Sequence, residues 1–130
     1  MSSWALALAF ALAAGAATAA ACGHSPAAPA PSPPVTIRPI HVDSVEVVLE
    51  GGPSVRVRGV IGDGCTTLSS VQQERGRAAI DITILAERPT DAICTQIARL
   101  YDETLRLPGA YPPGTYLVRV NGVEQAFTIP

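Results

Sequence analysis

The sequence predicts an all-β fold, an antiparallel two-sheet sandwich of about seven strands, over residues 35–130. From Val35 onward, β-branched residues alternate with polar ones in short runs. Glycine, proline and aspartate interrupt these runs at short intervals, as they do between neighbouring strands. At 130 residues the chain has room for a single domain of this kind.

The first predicted strand pair consists of residues 44–49 and 55–61. The Glu50-Gly-Gly-Pro53 segment between them is rich in residues that favour a turn. Residues 67–73 and 80–84 form a second predicted hairpin, since the latter run alternates between isoleucine and polar residues.

The segment from Thr90 to Leu107 carries two periodicities at once. Its first half places apolar residues at helical spacing, and its second half alternates as a strand does. We expect a turn or a short helical stretch around Cys94. A strand is predicted to follow, from about Ile97 or Leu100 to Leu107.

The last hairpin has the strongest signal in the chain. Residues 115–120 and 123–129 flank Asn121-Gly122, and this dipeptide favours a type I′ turn because both of its positions need positive φ. A two-residue turn places Tyr116 opposite Phe127, and it also aligns Arg119 with Glu124 and Val120 with Val123.

The N-terminal region predicts export. An alanine- and leucine-rich apolar run extends from Trp4 to Ala21 and ends in small residues, which is typical of a secretory signal peptide over residues 1–21. Its alanine content favours cleavage over retention as a membrane span.

The segment Ala19-Ala-Ala-Cys22 resembles the lipobox of bacterial lipoproteins, in which the cysteine is acylated and becomes the new N-terminus. Cysteine parity favours the same interpretation. The chain has three cysteines, and acylation of Cys22 would leave Cys65 and Cys94 as a pair. Ordinary cleavage at the same position would instead leave Cys22 as a thiol on a secreted or periplasmic protein.

Residues 22–34 are predicted to be the lipidated cysteine and a spacer. The stretch from Gly23 to Pro34 is rich in proline and alanine and has no large apolar side chain, so it cannot build a core. A polyproline-like segment of this length would hold the domain roughly 35 Å from its anchor.

The stretch from Leu107 to Tyr116 resembles the start of strand F in immunoglobulin-like and fibronectin-type domains. In those domains a tyrosine hydroxyl caps a corner of the sandwich, and Tyr116 is the candidate here. The segments Cys65-x-x-Leu68, Ala86-Glu-Arg-Pro-x-Asp-Ala-x-Cys94 and Pro113-Gly-x-Tyr-x-Val-x-Val-Asn-Gly-Val123 resemble uncharacterised bacterial envelope lipoproteins with a small immunoglobulin-like domain. That resemblance implies a Cys65–Cys94 disulfide and carries no activity.

Candidate reactive groups are few. Cys65 and Cys94 lack the spacing of a redox motif, so we expect a structural disulfide contributing roughly 3.5 kcal/mol. The two histidines show no metal-ligand spacing, and no metal or other cofactor is predicted. His41 and Asp43 would share a strand face, but no motif ties a nucleophile to them. Asp63, between two glycines, is typical of turn chemistry.

The charge pattern argues against nucleic acid as a partner, because the net charge is −2 and the arginines are scattered along the chain. The best exposed candidate for an interaction loop is Tyr111-Pro112-Pro113-Gly114. We therefore expect a non-catalytic interaction or structural domain of the bacterial cell envelope, lipid-anchored to a membrane and binding an envelope protein. The alternatives are an inhibitor of exported proteases and a weak hydrolase using His41 and Asp43.

Overall fold

The computed structural model describes Gly23 and residues 25–130. By its internal contacts the chain divides into two units, residues 1–30 and 31–130. The predicted signal peptide and Cys22 lie outside the described residues. In the first unit, Gly23 and residues 25–30 are exposed and form neither helix nor strand. No helix in the described part of the chain has the length and apolar character needed to cross a membrane.

The second unit is an all-β sandwich, as the sequence predicts. In the described part of the chain, its strands are β1 (Val35–Pro39), β2 (His41–Val48), β3 (Ser54–Gly62), β4 (Thr67–Arg75), β5 (Ala79–Pro89), β6 (Arg99–Arg106), β7 (Gly114–Val120) and β8 (Val123–Ile129). The additional strand relative to the prediction is β1. The Pro39 at its end and its mostly exposed side chains hide the alternation that marks the other strands.

The strands form two sheets. The larger sheet contains β1, β4, β5, β7 and β8, and the smaller one has the order β2-β3-β6. β5 is central to the larger sheet, with β4 on one edge and both β7 and β1 on the other. β7 pairs with residues 79–82 of β5, and β1 pairs with residues 85–89. The chain passes from the larger sheet to the smaller one at Ile40, between β1 and β2.

The β5–β7 pairing is parallel, whereas the other strand pairs are antiparallel. The sequence pattern predicts an antiparallel sandwich because alternation reports which side chains face inward. It carries no information on the direction of a strand's non-sequential neighbour.

All three predicted hairpins form. The β7–β8 hairpin has the predicted register, with Tyr116 opposite Phe127 and Arg119 opposite Glu124. Asn121 and Gly122 both have positive φ, at 46° and 92°, as a type I′ turn requires.

The core lies between the sheets and is built from alternating inward-facing residues. The side chains below 2 % exposure are all isoleucine and valine: Val55, Val57, Ile80, Ile82, Ile84, Val118 and Val120. β-branched side chains of this kind pack well on a pleated sheet surface.

Of the two alternatives predicted around Cys94, a turn or a short helix, the helical one is wrong, whereas the strand predicted after it forms as β6. Thr90 and Asp91 form a turn, residues 92–98 are irregular, and β6 begins at Arg99. Ile93 and Ile97, which gave the helical spacing, are exposed at 103 % and 72 %. The segment is held by the Cys65–Cys94 disulfide and by the bond from Gly64 N to Thr95 O, not by an apolar face.

Candidate functional site

The predicted interaction segment closes the β6–β7 loop, which comprises residues 107–113 and leads into β7. Pro112, Pro113 and Gly114 are exposed. Tyr111 is only half-exposed, and its ring packs against the ring of Tyr116 with centroids 5.2 Å apart. The prolines therefore form the accessible part of the segment.

Tyr116 holds the loop from the β7 side. Its hydroxyl donates a hydrogen bond to the carbonyl oxygen of Pro112 at 2.7 Å, which is the corner contact predicted for this residue. The Tyr116 ring is buried and stacks on Phe127 with centroids 5.4 Å apart. The loop is therefore linked to the Tyr116–Phe127 pair, and the β7–β8 turn sets the register of that pair.

Arg75, at the end of β4, holds the loop from the opposite side. Its guanidinium donates to the carbonyl oxygens of Pro108 at 3.0 Å and Ala110 at 2.5 Å. The guanidinium carbon also lies 3.8 Å from the centroid of the Tyr111 ring, in a cation–π contact. The β6–β7 loop is consequently clamped between β4 and β7.

The clamp buries the phenol of Tyr111. Its hydroxyl is buried and finds no hydrogen-bond partner among the described residues. Burial raises the pKa of Tyr111 above its ordinary value, and the positive charge of Arg75 partly opposes that rise. The ring therefore acts as a neutral packing surface beneath the arginine.

The disulfide joins Cys65 and Cys94 as predicted, with Cα atoms 5.5 Å apart. Next to it, Asp63 organises the connection between β3 and β4. Its carboxylate accepts hydrogen bonds from Cys65 N at 3.2 Å, Thr66 Oγ1 at 2.8 Å and Arg88 Nε at 2.8 Å. The bonds from Arg88 and Thr66 hold the pKa of Asp63 below its usual range. The turn role expected of Asp63 is confirmed.

His41 and Asp43 lie close together at the start of β2, with His41 Nε2 3.1 Å from Asp43 Oδ1. Both side chains are largely in solvent, at 75 % and 56 % exposure. The β2–β3 pairing has a bulge between Val42 and Ser44, at the position of Asp43.

Metal ligands are not clustered in the part of the chain that the structure describes. Within Gly23 and residues 25–130, no group of three or more histidine, cysteine, aspartate or glutamate side chains could hold a metal ion.

Comparison with known proteins identifies the domain. The family described as the ORF11 beta-sandwich domain matches residues 55–129, which run from β3 to the end of β8. The chain belongs to this family. The matched part of the ORF11 beta-sandwich domain includes both disulfide cysteines, Arg75 and the whole β6–β7 loop.

Curated relatives of this ORF11 beta-sandwich domain include small proteins from Herpetosiphon aurantiacus. An uncharacterized 10.2 kDa protein in the HgiCIIM 5′ region is 32% identical over 76 residues, covering 58% of this chain and 81% of the relative. An uncharacterized 10.2 kDa protein in the HgiBIM 5′ region is 32% identical over 75 residues, covering 58% and 92%. No solved structure matches the chain.

Two features of this ORF11 beta-sandwich domain could not be predicted from its sequence. Arg75 lies 33 residues or more from the carbonyls that it binds, and no local pattern signals that contact. Arg38 and Arg88 come together only because β1 pairs with β5, and β1 is the strand that the sequence does not predict.

Proposed function

We propose that the chain is a non-catalytic interaction module of the bacterial cell envelope, tethered to a membrane by lipid on Cys22 and binding an envelope protein. The tether is supported by the lipobox-like Ala19-Ala-Ala-Cys22, and the proline-rich spacer would give the domain reach. The Tyr116 corner is a feature that an immunoglobulin-like sandwich would share.

The observation that carries the proposal is the double clamp on the β6–β7 loop. Tyr116 holds Pro112 from one side, and Arg75 holds Pro108 and Ala110 from the other. Pro112 and Pro113 are exposed between these contacts, and their own φ angles are fixed by their rings. A loop ordered before binding loses little conformational entropy when a partner docks, which favours recognition.

Site-specific photo-cross-linking in cells tests the proposal. A photoreactive phenylalanine analogue replaces Pro113, and the matched control carries it at Gln96, which is also exposed. Gln96 lies in the irregular segment before β6 and Pro113 in the loop after it, so the two positions belong to segments at opposite ends of a strand about 26 Å long. A partner should cross-link at Pro113 and not at Gln96.

A variant of Arg75 distinguishes recognition of the β6–β7 loop from incidental proximity of a partner. Arg75→Gln releases one side of the clamp, so the yield of the Pro113 adduct should fall while protein abundance stays unchanged. Equal adducts at Pro113 and Gln96, or none at either position, would contradict the proposal. If the captured partner is an exported protease, inhibition of its activity by the purified protein would favour the inhibitor alternative.

The tether is tested separately by mass spectrometry of the exported protein. Acylation adds fatty-acyl mass to the N-terminal cysteine, whereas simple cleavage leaves an unmodified N-terminus. The Cys22→Ser variant should lose the acyl mass and move from the membrane fraction to the soluble fraction. Membrane association that persists in this variant would exclude Cys22 as the anchor.

A further inference from the structure

The inner face of the larger sheet changes from apolar to cationic toward the C-terminal end of β5. Ile80, Ile82, Ile84 and Ala86 follow one another along the face that packs into the core, and the next residue on that face is Arg88. Beyond Ala86 the apolar inner surface therefore becomes cationic at the mouth of the sandwich.

β1 adds a second arginine to the same face. In the β1–β5 register, Thr36 lies opposite Arg88 and Arg38 lies opposite Ala86. Directly opposed residues of an antiparallel pair point to the same side of a sheet. Both arginines and the threonine hydroxyl thus reach the mouth of the sandwich together.

These residues line a cleft of about 410 Å³. The lining includes Arg38, Arg88 and Thr36 from β1 and β5, and Ile61 and Thr66 from the end of β3 and the segment that follows it. Ala86 is also part of the lining, where the cleft meets the core. The lining therefore combines two cationic side chains with a smaller apolar part formed by Ile61 and Ala86.

The two arginines differ in the number of hydrogen-bond and ion-pair partners that their guanidinium groups have. Arg88 donates to Asp63 at 2.8 Å and to the carbonyl oxygens of Pro89 and Ala92, so its hydrogen-bonding capacity is largely occupied. Arg38 makes no side-chain hydrogen bond or ion pair with any of the described residues, and neither does the Thr36 hydroxyl. Because Asp63 balances a single positive charge, the cleft carries a net positive charge with Arg38 available.

We propose that this cleft binds a carboxylate attached to a small apolar group, with the Arg38 guanidinium on the carboxylate and the apolar group against Ile61 and Ala86. A guanidinium matches a carboxylate with two parallel hydrogen bonds, and Thr36 can supply a third donor. The volume lies within the range of small-molecule sites. The carboxylate belongs either to a free small acid or to the C-terminal residue of a peptide. This inference concerns a different surface from the β6–β7 loop and does not depend on the proposed function.

Titration of the ¹⁵N-labelled full chain, followed by NMR, tests the site. The probes are 3-phenylpropionate, its neutral amide, and inorganic phosphate. The carboxylate should shift the amide signals of Thr36, Arg38 and Arg88, and the neutral amide should not. Equal shifts from the amide would show that the charge is not recognised, and phosphate binding as tight as that of the carboxylate would show that the apolar group is not recognised. Either result would overturn the proposal.

Variants of Arg38 provide the second arm. Arg38→Gln should weaken 3-phenylpropionate binding by about tenfold or more, and Arg38→Lys should weaken it by less because it retains charge without the planar fork. Arg77→Gln, in the exposed β4–β5 turn, is the control with the same charge change and should bind as the native chain does. Unchanged binding by Arg38→Gln would refute the site.

A peptide arm distinguishes the two sources of the carboxylate. N-acetyl-Ala-Ala-Phe and its C-terminal amide are compared with 3-phenylpropionate on the same chain. Tighter binding of the tripeptide acid assigns the site to a peptide C-terminus, and tighter binding of 3-phenylpropionate assigns it to a small acid. No carboxylate-dependent shift with either probe would overturn the proposal.

Discussion

The side-chain amide of Asn121 forms hydrogen bonds with both the backbone N–H and the backbone carbonyl of Ile84. Asn121 Oδ1 accepts a hydrogen bond from Ile84 N at 2.9 Å, and Asn121 Nδ2 donates to Ile84 O at 2.9 Å. Nδ2 also donates to Ile40 O at 3.0 Å. The amide therefore acts as a peptide group where the edge of β5 changes from pairing with β7 to pairing with β1.

Asn121→Gly should destabilise the fold even though glycine suits the turn. Glycine adopts positive φ readily, so the hairpin backbone remains favourable. Ile84 O keeps its bond from Ile40 N at 3.0 Å, but Ile84 N and Ile40 O lose their partners. Leaving two such groups unsatisfied should cost about 2 kcal/mol or more in the free energy of unfolding. Urea denaturation measures the change.

Asn121→Asp is the companion variant, because it keeps an acceptor for Ile84 N and replaces the amide donor by a second oxygen. That oxygen would face the carbonyls of Ile40 and Ile84. The variant should be less stable than Asn121→Gly at neutral pH and should recover stability under acid, when the carboxyl can donate a proton. Equal stability of the two variants at every pH would contradict the predicted repulsion between the second oxygen and the Ile40 and Ile84 carbonyls.

Asn121 also shows which structural features can be predicted from the sequence and which cannot. The Asn-Gly signal and the strand alternation together predict the β7–β8 hairpin to its register, because both features are local. The second role of Asn121, as a bridge to Ile40 and Ile84, depends on residues 81 and 37 positions away. Local patterns carry no information about a partner at that distance.

Local patterns also mispredict a segment when contacts other than burial fix it. Ile93 and Ile97 have helical spacing, but the disulfide and the Gly64–Thr95 bond fix their segment and leave both side chains in solvent. Apolar spacing predicts structure only where burial determines it. The Arg38 cleft likewise depends on the pairing of β1 with β5, which joins residues far apart in the chain.

The disulfide should contribute strongly to stability, because Cys65 and Cys94 are separated by 29 positions. Loop entropy for a closure of this size predicts a loss of roughly 3.5 kcal/mol in the free energy of unfolding after reduction. The Gly64 amide, which donates to Thr95 O at 3.0 Å, should lose its protection from hydrogen exchange at the same time. Urea denaturation and exchange with and without reductant provide the measurements.

The Cys65→Ser, Cys94→Ser double variant is the control for reduction. It should match the reduced native chain in stability and show no response to reductant. A double variant as stable as the oxidised chain would show that the disulfide does not support the fold.

Asp63 should make stability depend on pH. Its pKa is held below the usual value of about 3.9, first by the hydrogen bond from Arg88 and then by that from Thr66. A carboxyl whose pKa is lower in the folded state stabilises the fold above its unfolded pKa, and that contribution is lost as the pH falls through the folded pKa. Asp63→Asn should therefore lower the urea midpoint at pH 7, and this effect should diminish as the pH falls toward the folded pKa of Asp63.

The pH dependence of Asp63 has to be separated from that of other carboxyls. The pKa of Asp102 is also lowered, by its bonds to Arg56, so the native curve contains more than one contribution. The informative quantity is the difference between the native and Asp63→Asn midpoints across pH. Asp91→Asn, at an exposed turn position, should give a difference that stays near zero. A native-minus-Asp63→Asn difference that is independent of pH would contradict the assignment.

Arg75 should determine whether the β6–β7 loop is rigid. Arg75→Gln removes the two charged hydrogen bonds to Pro108 and Ala110 and the cation–π contact with Tyr111. Because these contacts are partly in solvent, we expect a loss of about 1–2 kcal/mol in the free energy of unfolding. Backbone order parameters of Gly109 and Ala110 should fall from about 0.85 toward about 0.6, as NMR relaxation would measure.

Arg77→Gln is the matched control for Arg75→Gln, because it removes the same charge two residues further along, in the β4–β5 turn. It should leave the order parameters of the loop and the stability unchanged. Tyr116→Phe releases the other side of the clamp by removing the bond to Pro112 O, at a cost of about 1 kcal/mol. If Arg75 and Tyr116 clamp the same loop, the Arg75→Gln, Tyr116→Phe double variant should lower the order parameters more than either change alone. A loop that stays rigid in the double variant would be held by its prolines, and the clamp would then not be the source of its order.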